Sequence, residues 1–215
     1  GLDLYSSGVL IMGRCEDLLP EHFRFVRGVV DSSDLSLNIS REMLQHDRQL
    51  KVIAQNLEKR VRSELKKLLE NEPDKYREFF KSFGLQLKFG IVSSYGTARD
   101  TLADLLMFHS AMHDKLITLD EYVSAMPDSQ KYIYYACGDT AEHIARLPQA
   151  DAVREKGFDI LFFTDEVDEF VAKTLVRHKE KEFRSLTSDD LGLVSEEEKK
   201  AAQEMEEKNQ ALLDF

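Results

Sequence analysis

Tryptophan is absent from this chain of 215 residues, and cysteine and proline are scarce, at two and four copies. Cys15 and Cys137 lie far apart, and neither belongs to a CxxC motif. This usage indicates neither a disulfide framework nor a zinc site, and it suits the reducing cytosol. No apolar run approaches the roughly 20 residues that a membrane-spanning helix needs. We therefore expect a cytoplasmic protein with no membrane segment.

The chain has an excess of acids, with 40 Asp and Glu against 29 Lys and Arg and a net charge of −11. Such a balance argues against a general nucleic-acid binder, and we expect no nucleic-acid partner. The charge is uneven, because residues 48–67 are rich in Lys and Arg whereas residues 195–215 carry seven acids against three lysines. A hydrophobic fraction of 42% is enough to form a buried core.

The first half of the sequence predicts two short strands and two long helices. Apolar residues indicate strands at 8–12 and 25–30, and the polar run at 31–34 ends the second. One face of the first helix has apolar positions spaced by three and four, namely Ile53, Leu57, Val61, Leu65 and Leu68. Pro73 suits the first turn of the next helix, which we end at Gly84. Its aromatic stripe, expected in the core, is Tyr76, Phe79, Phe80 and Phe83.

The second half alternates between strands and helices. A loop at 93–96 precedes a helix over 97–106, and Thr118 with Glu121 forms a capping box for a helix to residue 126. Strands are predicted at 132–137, 160–163 and 183–186, and helices at 140–146, 150–156 and 167–175. This order predicts a parallel sheet covered by helices.

These elements place the chain in the α/β class. Two strands cannot form a stable domain alone, so residues 1–45 are expected to complete an α/β sheet that begins upstream of Gly1. Residues 46–96 form a helical connector, and residues 97–190 a small α/β/α sandwich with a mainly parallel sheet. Residues 191–215 form an acidic helix that leads towards a further domain. Because the chain begins without Met and ends within a helical pattern, we expect a fragment of a longer protein.

Arg41 is the first candidate functional residue. Ser40 can cap a helix and Glu42 suits its positive first turn, whereas the cation of Arg41 opposes the helix dipole there. With the free amides of that turn, Arg41 would make a place for an anion such as phosphate. Gln45 lies four residues further on and shares the face of Arg41. The alternative from spacing alone is an Arg41 side chain paired with a nearby carboxylate.

Two further groups have spacings that metal ligands can adopt. His109 and His113 are four residues apart, but zinc needs at least one more ligand and HExxH is absent, so we expect no metal site. Asp165 and Asp168 follow an apolar stretch, and carboxylates at the carboxyl end of a parallel strand can hold magnesium. The alternative is that Asp165 caps the next helix and that both acids favour its dipole.

Three stretches of the chain, at 19–45, 128–135 and 162–170, carry long and specific motifs. They include LSLNISREMLQ, DSQKYIYY and FFTDEVDEF. These motifs resemble those of the ninety-kilodalton heat-shock chaperone family, and their residues are most similar to those of its bacterial members. The resemblance covers nearly the whole chain, which corresponds to the middle domain of that family. Ser36 stands where many members have Pro, a change that affects loop stiffness more than chemistry.

The resemblance implies an ATP-dependent molecular chaperone of the heat-shock response. ATP and Mg²⁺ would be bound mainly by a separate N-terminal ATPase domain, and no cofactor is expected in this fragment alone. Arg41 would reach across to the γ-phosphate of ATP, with Gln45 assisting from the same helix face. The carboxylate that activates water would lie in the N-terminal domain, so the fragment alone is expected to have no ATPase activity.

The resemblance also implies a surface for unfolded or partly folded client proteins. Glu169, Phe170 and Lys173 match the family's acid, aromatic and amide positions, with Phe170 in place of the usual Trp and Lys173 in place of the usual Asn. Spacing alone leaves open whether Phe170 is exposed or in the core. The full-length protein would be a homodimer held by a C-terminal dimerisation domain.

Two alternative functions stay open. One is a self-contained Mg²⁺-dependent phosphohydrolase that uses Asp165 and Asp168. The other is a non-catalytic module that binds partner proteins through Phe170.

Overall fold

The structure, a computed structural model, describes residues 1–35 and 47–193. Within these residues two long helices connect a small β-sheet to a larger one. The α/β class predicted from the sequence is confirmed. In this part of the chain, no helix combines the length and the apolar composition that crossing a membrane requires.

The small sheet has three strands in the order β2-β1-β3. They are β1 (Leu2–Ser6), β2 (Val9–Cys15) and β3 (Gly28–Asp31). β1 pairs with β2 in the antiparallel sense and with β3 in the parallel sense. Ser7 and Gly8 both have positive φ, as a two-residue hairpin turn with right-handed twist requires. The sequence analysis did not predict β1.

The predicted strand at 25–30 is wrong in its first half. Residues 21–23 form a 3-10 turn, and strand pairing begins only at Gly28. The Phe25 ring instead packs against the rings of Phe79 and Phe83, with centroids 5.2 and 4.9 Å away. The apolar residues before Gly28 therefore do not form a strand, because Phe25 fixes this loop against the helix that carries Phe79 and Phe83.

The two long helices are α1 (Arg48–Asn71) and α2 (Pro73–Ser93). Asp47 caps α1, because one of its carboxylate oxygens accepts hydrogen bonds from two backbone N–H groups of the first turn. The start of α2 agrees with the sequence analysis, because Pro73 occupies its first turn as predicted. The aromatic stripe also lies in or against the core, with Tyr76 and Phe80 fully or almost fully buried.

The predicted end of α2 at Gly84 is wrong, since the helix continues to Ser93. Gly84 is explained by packing rather than by capping. A Cβ atom at Gly84 would lie 2.5 Å from Cε1 of Phe80, so the Phe80 ring occupies the space of a side chain. The second half of the helix buries Leu87 and Ile91.

The larger sheet has six strands in the order β5-β4-β7-β6-β9-β8. They are β4 (Met107–Ser110), β5 (Lys115–Thr118), β6 (Tyr132–Cys137), β7 (Ile160–Phe163), β8 (Arg177–His178) and β9 (Lys181–Ser185). The three central strands are parallel, as predicted. The sheet is nevertheless mixed rather than mainly parallel, because hairpins add antiparallel pairs at both edges.

Five shorter helices accompany this sheet among the described residues. They are α3 (Arg99–Leu102), α4 (Leu119–Ala125), α5 (Ala141–Ala145), α6 (Pro148–Glu155) and α7 (Asp168–Leu175). The capping box of Thr118 and Glu121 is present at the start of α4. The predicted helix over 97–106 is largely wrong, because α3 gives way to a 3-10 turn and then to β4.

Alternate residues of the central strands enter two separate hydrophobic clusters. Tyr135 and Leu161 belong to a large cluster that extends through α1, α2 and the small sheet. Tyr134 and Ile160 belong to a smaller cluster beneath α5 and α6. The alternation follows from the period of two in a strand, and it gives the predicted helix layers on both faces of the sheet. The domain boundaries given above stay a prediction.

His22 lies where the segment between β2 and β3 packs against α2. Its ring is buried, and a Cβ atom at Gly90 would lie 2.7 Å from the Cβ of His22. Burial lowers the pKa of His22 from its ordinary value of 6.5 to about 4. Protonation of His22 is therefore less favourable in the folded chain than in the unfolded chain.

This burial predicts a specific loss of stability in acid. The pKa of His22 is lower in the folded state, so burying the neutral ring carries no protonation penalty above pH 6.5. The free energy of unfolding then decreases as pH falls from 6.5 towards 4. The slope approaches about 1.4 kcal/mol per pH unit. We expect His22→Leu to reduce the change in unfolding free energy between pH 7 and pH 5, measured by urea denaturation. His143→Leu, at an exposed position, should keep the wild-type dependence. Equal slopes in all three proteins would contradict the prediction.

Candidate functional site

A buried lysine joins α2 to the start of α7. Lys88 is 4% exposed, although it carries a charge. Its Nζ lies 2.8 Å from Oδ2 of Asp165 and 2.6 Å from Oδ1 of Asp168. The first contact is also a hydrogen bond, whereas the second is an ion pair without hydrogen-bond geometry. We refer to Lys88, Asp165 and Asp168 as the Lys88 clamp.

Aromatic rings complete the surroundings of the Lys88 ammonium. Its Nζ lies 4.8 Å from the ring centroid of Phe108 and 5.8 Å from that of Phe80. A cation facing aromatic rings gains electrostatic attraction, and this gain grows when water is excluded. The rings therefore offset part of the cost of removing the charge from water.

Asp168 fixes the first turn of α7. Its Oδ2 accepts a hydrogen bond from the backbone N–H of Asp165, 3.1 Å away, so the side chain ties the helix back to the preceding loop. The predicted capping role of Asp165 is wrong, because the residue before α7 is Val167 and the carboxylate of Asp165 is directed to Lys88. Burial raises the pKa of Asp168, and Lys88 opposes that rise.

The exposed face of α7 carries the three residues matched to the family's client-binding positions. Phe170 is 56% exposed, so the structure places it on the surface and not in the core. Nζ of Lys173 lies 2.8 Å from Oε1 of Glu169 and 5.9 Å from the ring centroid of Phe170. The hydrogen bond from Lys173 to Glu169 raises the pKa of Lys173. The three side chains thus form an aromatic ring beside a neutralised ion pair, which we call the α7 face.

Arg41 and Gln45 lie outside the described residues, so their roles stay a prediction. The segments on either side of them are well anchored. The carbonyl of Leu35 accepts a hydrogen bond of 2.6 Å from Oγ of Ser6, and Asp47 caps α1. The first turn of α1 contains no acid.

The carboxylates proposed for magnesium converge, but they converge on the ammonium of Lys88. A lysine in this position supplies the positive charge that a metal would otherwise bring, and it fills the space between the two acids. Within the described ranges, no group of three or more His, Cys, Asp or Glu is placed to hold a metal ion. This geometry gives no support to a self-contained phosphohydrolase.

The two histidines do not share a helix face, because His109 lies on β4 and His113 in the turn that follows it. His113 Nδ1 lies 3.0 Å from Oγ of Ser110, which also donates a hydrogen bond of 2.6 Å to Asp159. Ser110 is fully buried and accepts a hydrogen bond from the backbone N–H of His113. A serine that donates to the carboxylate and closes a turn has a structural role and is not an activated nucleophile.

Sequence reasoning missed Lys88, although a signal was present. Residues 85–92 form an apolar stretch interrupted by one cation at 88 and one amide at 86. A lone lysine among apolar residues of a helix is either at the surface or buried with a counter-ion. Its partners could not be identified, because Asp165 is 77 positions away in the sequence.

Taken with the fold, these features define a mixed α/β protein that presents an exposed aromatic helix face from a tightly packed body. Comparison with known proteins gives the family. The family model described as "Hsp90 protein" matches residues 1–215. The chain therefore belongs to the Hsp90 family of chaperones.

Bacterial chaperones are among its relatives. The chain is 56% identical over 214 residues to "Chaperone protein HtpG" of Bacillus subtilis (strain 168), covering 100% of this chain and 34% of that protein. It is 58% identical over 204 residues to the protein of the same name from Oceanobacillus iheyensis, covering 95% of this chain and 33% of that protein. The chain spans about a third of the length of the curated relatives it matches.

The Lys88 clamp predicts a large loss of stability when its cation is removed. In Lys88→Met, Asp168 is left buried without a counter-ion, and breaking a buried pair in this way costs about 3–5 kcal/mol. Urea denaturation should show this loss at pH 7. Lys81→Met, which removes a surface pair with Glu78 on the same helix, should cost less than about 1 kcal/mol.

The loss should also depend on pH. Burial already raises the pKa of Asp168, and removing Lys88 raises it further. A carboxyl group whose pKa is raised in the folded state lowers the free energy of unfolding as pH rises. The stability that Lys88→Met loses relative to the wild type should therefore become smaller from about pH 7 towards pH 4. Adding Asp168→Asn should restore part of the stability at pH 7. A deficit that is small or independent of pH would contradict this account of the clamp.

Proposed function

We propose that this chain works as the middle part of a longer, ATP-driven chaperone that acts in the cytoplasm as a homodimer. Membership of the Hsp90 family and identity to proteins named chaperone protein HtpG support this proposal. ATP and Mg²⁺ would be bound by an N-terminal ATPase domain, and a C-terminal domain would hold the two copies together. In this arrangement the present chain contributes a catalytic arginine and a surface for client proteins.

The client surface is the α7 face, and the observation that supports it most directly is the exposure of Phe170. An apolar ring on a surface helix offers an unfolded chain a place to bury its own apolar side chains. Glu169 and Lys173 neutralise each other beside the ring, so no net charge repels acidic or basic segments. The face would therefore select for exposed apolar side chains and not for a particular sequence.

The second contribution is the reach of Arg41 to the γ-phosphate of ATP bound in the neighbouring domain. Besides the family membership, the local charge supports this role. Arg48 and Lys51 lie in the first turn of α1 or just beyond it, where the helix dipole is positive and the carboxylate of the capping residue Asp47 neutralises part of the charge. Gln45 would assist Arg41 at the phosphate.

Replacement of Phe170 tests the client surface. The probe is reduced, carboxymethylated α-lactalbumin, a permanently unfolded polypeptide, and its affinity for the intact protein is measured by fluorescence anisotropy. Burying a phenylalanine ring contributes about 1.5–3 kcal/mol, so Phe170→Ala should weaken binding by about tenfold or more. Met112→Ala removes another exposed apolar side chain, in the turn after β4, and should leave binding unchanged. Unchanged binding by Phe170→Ala would remove this residue from the site.

Replacement of Arg41 tests the catalytic contribution. In the intact protein, Arg41→Ala should lower ATP hydrolysis by about a thousandfold, the lower end of the range for arginine fingers in other phosphoryl-transfer systems. Nucleotide binding, measured by calorimetry, should stay near that of the wild type, because the pocket lies in another domain. Lys59→Ala removes an exposed cation further along α1 and serves as the charge-matched control. Hydrolysis by Arg41→Ala near the wild-type rate would show that Arg41 does not act on the phosphate.

A further inference from the structure

Tyr95 stands at a position where glycine is the usual residue. The end of α2 is closed by two backbone hydrogen bonds, from Tyr95 N to Val92 O at 3.0 Å and from Gly96 N to Ile91 O at 3.1 Å. This pair of bonds is the Schellman motif, in which the residue after the helix cap adopts a left-handed conformation. Tyr95 takes that conformation with φ of +51°, at a steric cost that glycine would avoid.

The fold does not compensate this cost through the Tyr95 side chain. Tyr95 is 94% exposed, the largest value among the exposed large hydrophobic residues of the described chain. Within residues 1–35 and 47–193, no hydrogen bond or ring contact of its side chain is found. Packing therefore does not explain this exposed aromatic ring on a strained backbone, and a role in binding is the alternative explanation.

The turn that contains Tyr95 contacts α7. A Cβ atom at Gly96 would lie 3.3 Å from Cγ2 of Thr174, so the turn after α2 contacts α7 at this residue. Thr174 lies one helical turn beyond Phe170, and its Oγ1 donates a hydrogen bond of 2.7 Å to the Phe170 carbonyl. The Lys88 clamp joins the same two helices further back. Tyr95 thus directly precedes the residue that contacts Thr174, and Tyr95 and Phe170 lie on two elements that are fixed to each other.

We propose that Tyr95 is a second contact of the client surface, so that one extended client segment is held between Tyr95 and Phe170. This inference rests on the proposed client-binding role of the α7 face. The Tyr95 ring would cover an aliphatic or aromatic side chain of the segment, and its hydroxyl would donate a hydrogen bond to a backbone carbonyl. A phenol is suited to both tasks, because it combines an apolar ring with a polar end.

The occupant is an unfolded polypeptide for two reasons. Neither Tyr95 nor Phe170 lines any of the four principal cavities of the described residues, so the surface lacks the concave shape that encloses a small molecule. The neighbouring ion pair of Glu169 and Lys173 is neutral overall, so this pair selects neither an acidic nor a basic partner. Two exposed rings on fixed elements suit a flexible chain with spaced apolar side chains.

Tyr95→Gly separates binding from folding in the intact protein. Glycine suits the left-handed position, so the urea midpoint should stay the same or rise. Affinity for reduced, carboxymethylated α-lactalbumin should nevertheless fall about three- to tenfold. Tyr95→Phe keeps the ring and should bind within about threefold of the wild type. Met112→Ala serves again as the surface control.

The outcomes distinguish this inference from the function on which it rests. If Phe170→Ala weakens binding and Tyr95→Gly does not, the second contact is refuted and the client role of the α7 face stands. If neither variant weakens binding, both are refuted. If only Tyr95→Gly weakens binding, the shared surface is refuted, because Phe170 has to be part of it. A change in self-association or in vesicle binding without any change in α-lactalbumin affinity would also overturn the proposal.

Discussion

The arrangement of α2 and α7 depends on one buried charge. Removing an ammonium group from water is costly, and Lys88 is stable inside the protein only while Asp165, Asp168 and the nearby rings surround it. Because these partners come from different parts of the chain, the ion pair forms only when the start of α7 lies against the middle of α2. It therefore selects one position of α7, whereas apolar contacts alone would tolerate small shifts. The position of α7 in turn determines where its exposed side chains lie.

Local pattern was enough to predict elements whose signals are local. The apolar stripe of α1, the proline at the start of α2 and the capping box of α4 each act within a few residues, and all three are confirmed. The errors arise where a distant contact decides the outcome. Gly84 looks like a helix end, but the ring of Phe80 needs the space, and Phe25 looks extended until Phe79 and Phe83 offer it a place on the helix.

The candidate site shows the same division. The motif around Phe170 predicted the family, which is confirmed, but α7 is a short helix with apolar residues on more than one side, so periodicity could not decide whether Phe170 faces solvent. The tether formed by Asp168 decides it, because it fixes the rotation of the helix so that Val171 and Leu175 are buried and Phe170 is exposed. Lys88 could not be matched to its partners from the sequence, since ion pairs between distant residues leave no periodic signal.

Two residues at the joint of α2 and α7 are unfavourable for local structure. A methionine or leucine at position 88 would avoid a buried charge if the facing acids were also replaced, and a glycine at position 95 would avoid a left-handed tyrosine. Local structure alone does not require either residue, since simpler alternatives fit both places. Local conflicts of this kind are expected where a sequence also serves binding. Lys88 fixes the position of α7, which carries Phe170, and Tyr95 lies in the turn that contacts α7 through Gly96, so both costs occur where the two helices meet. Under the proposed client role, these two costs are the local conflicts that a binding surface introduces.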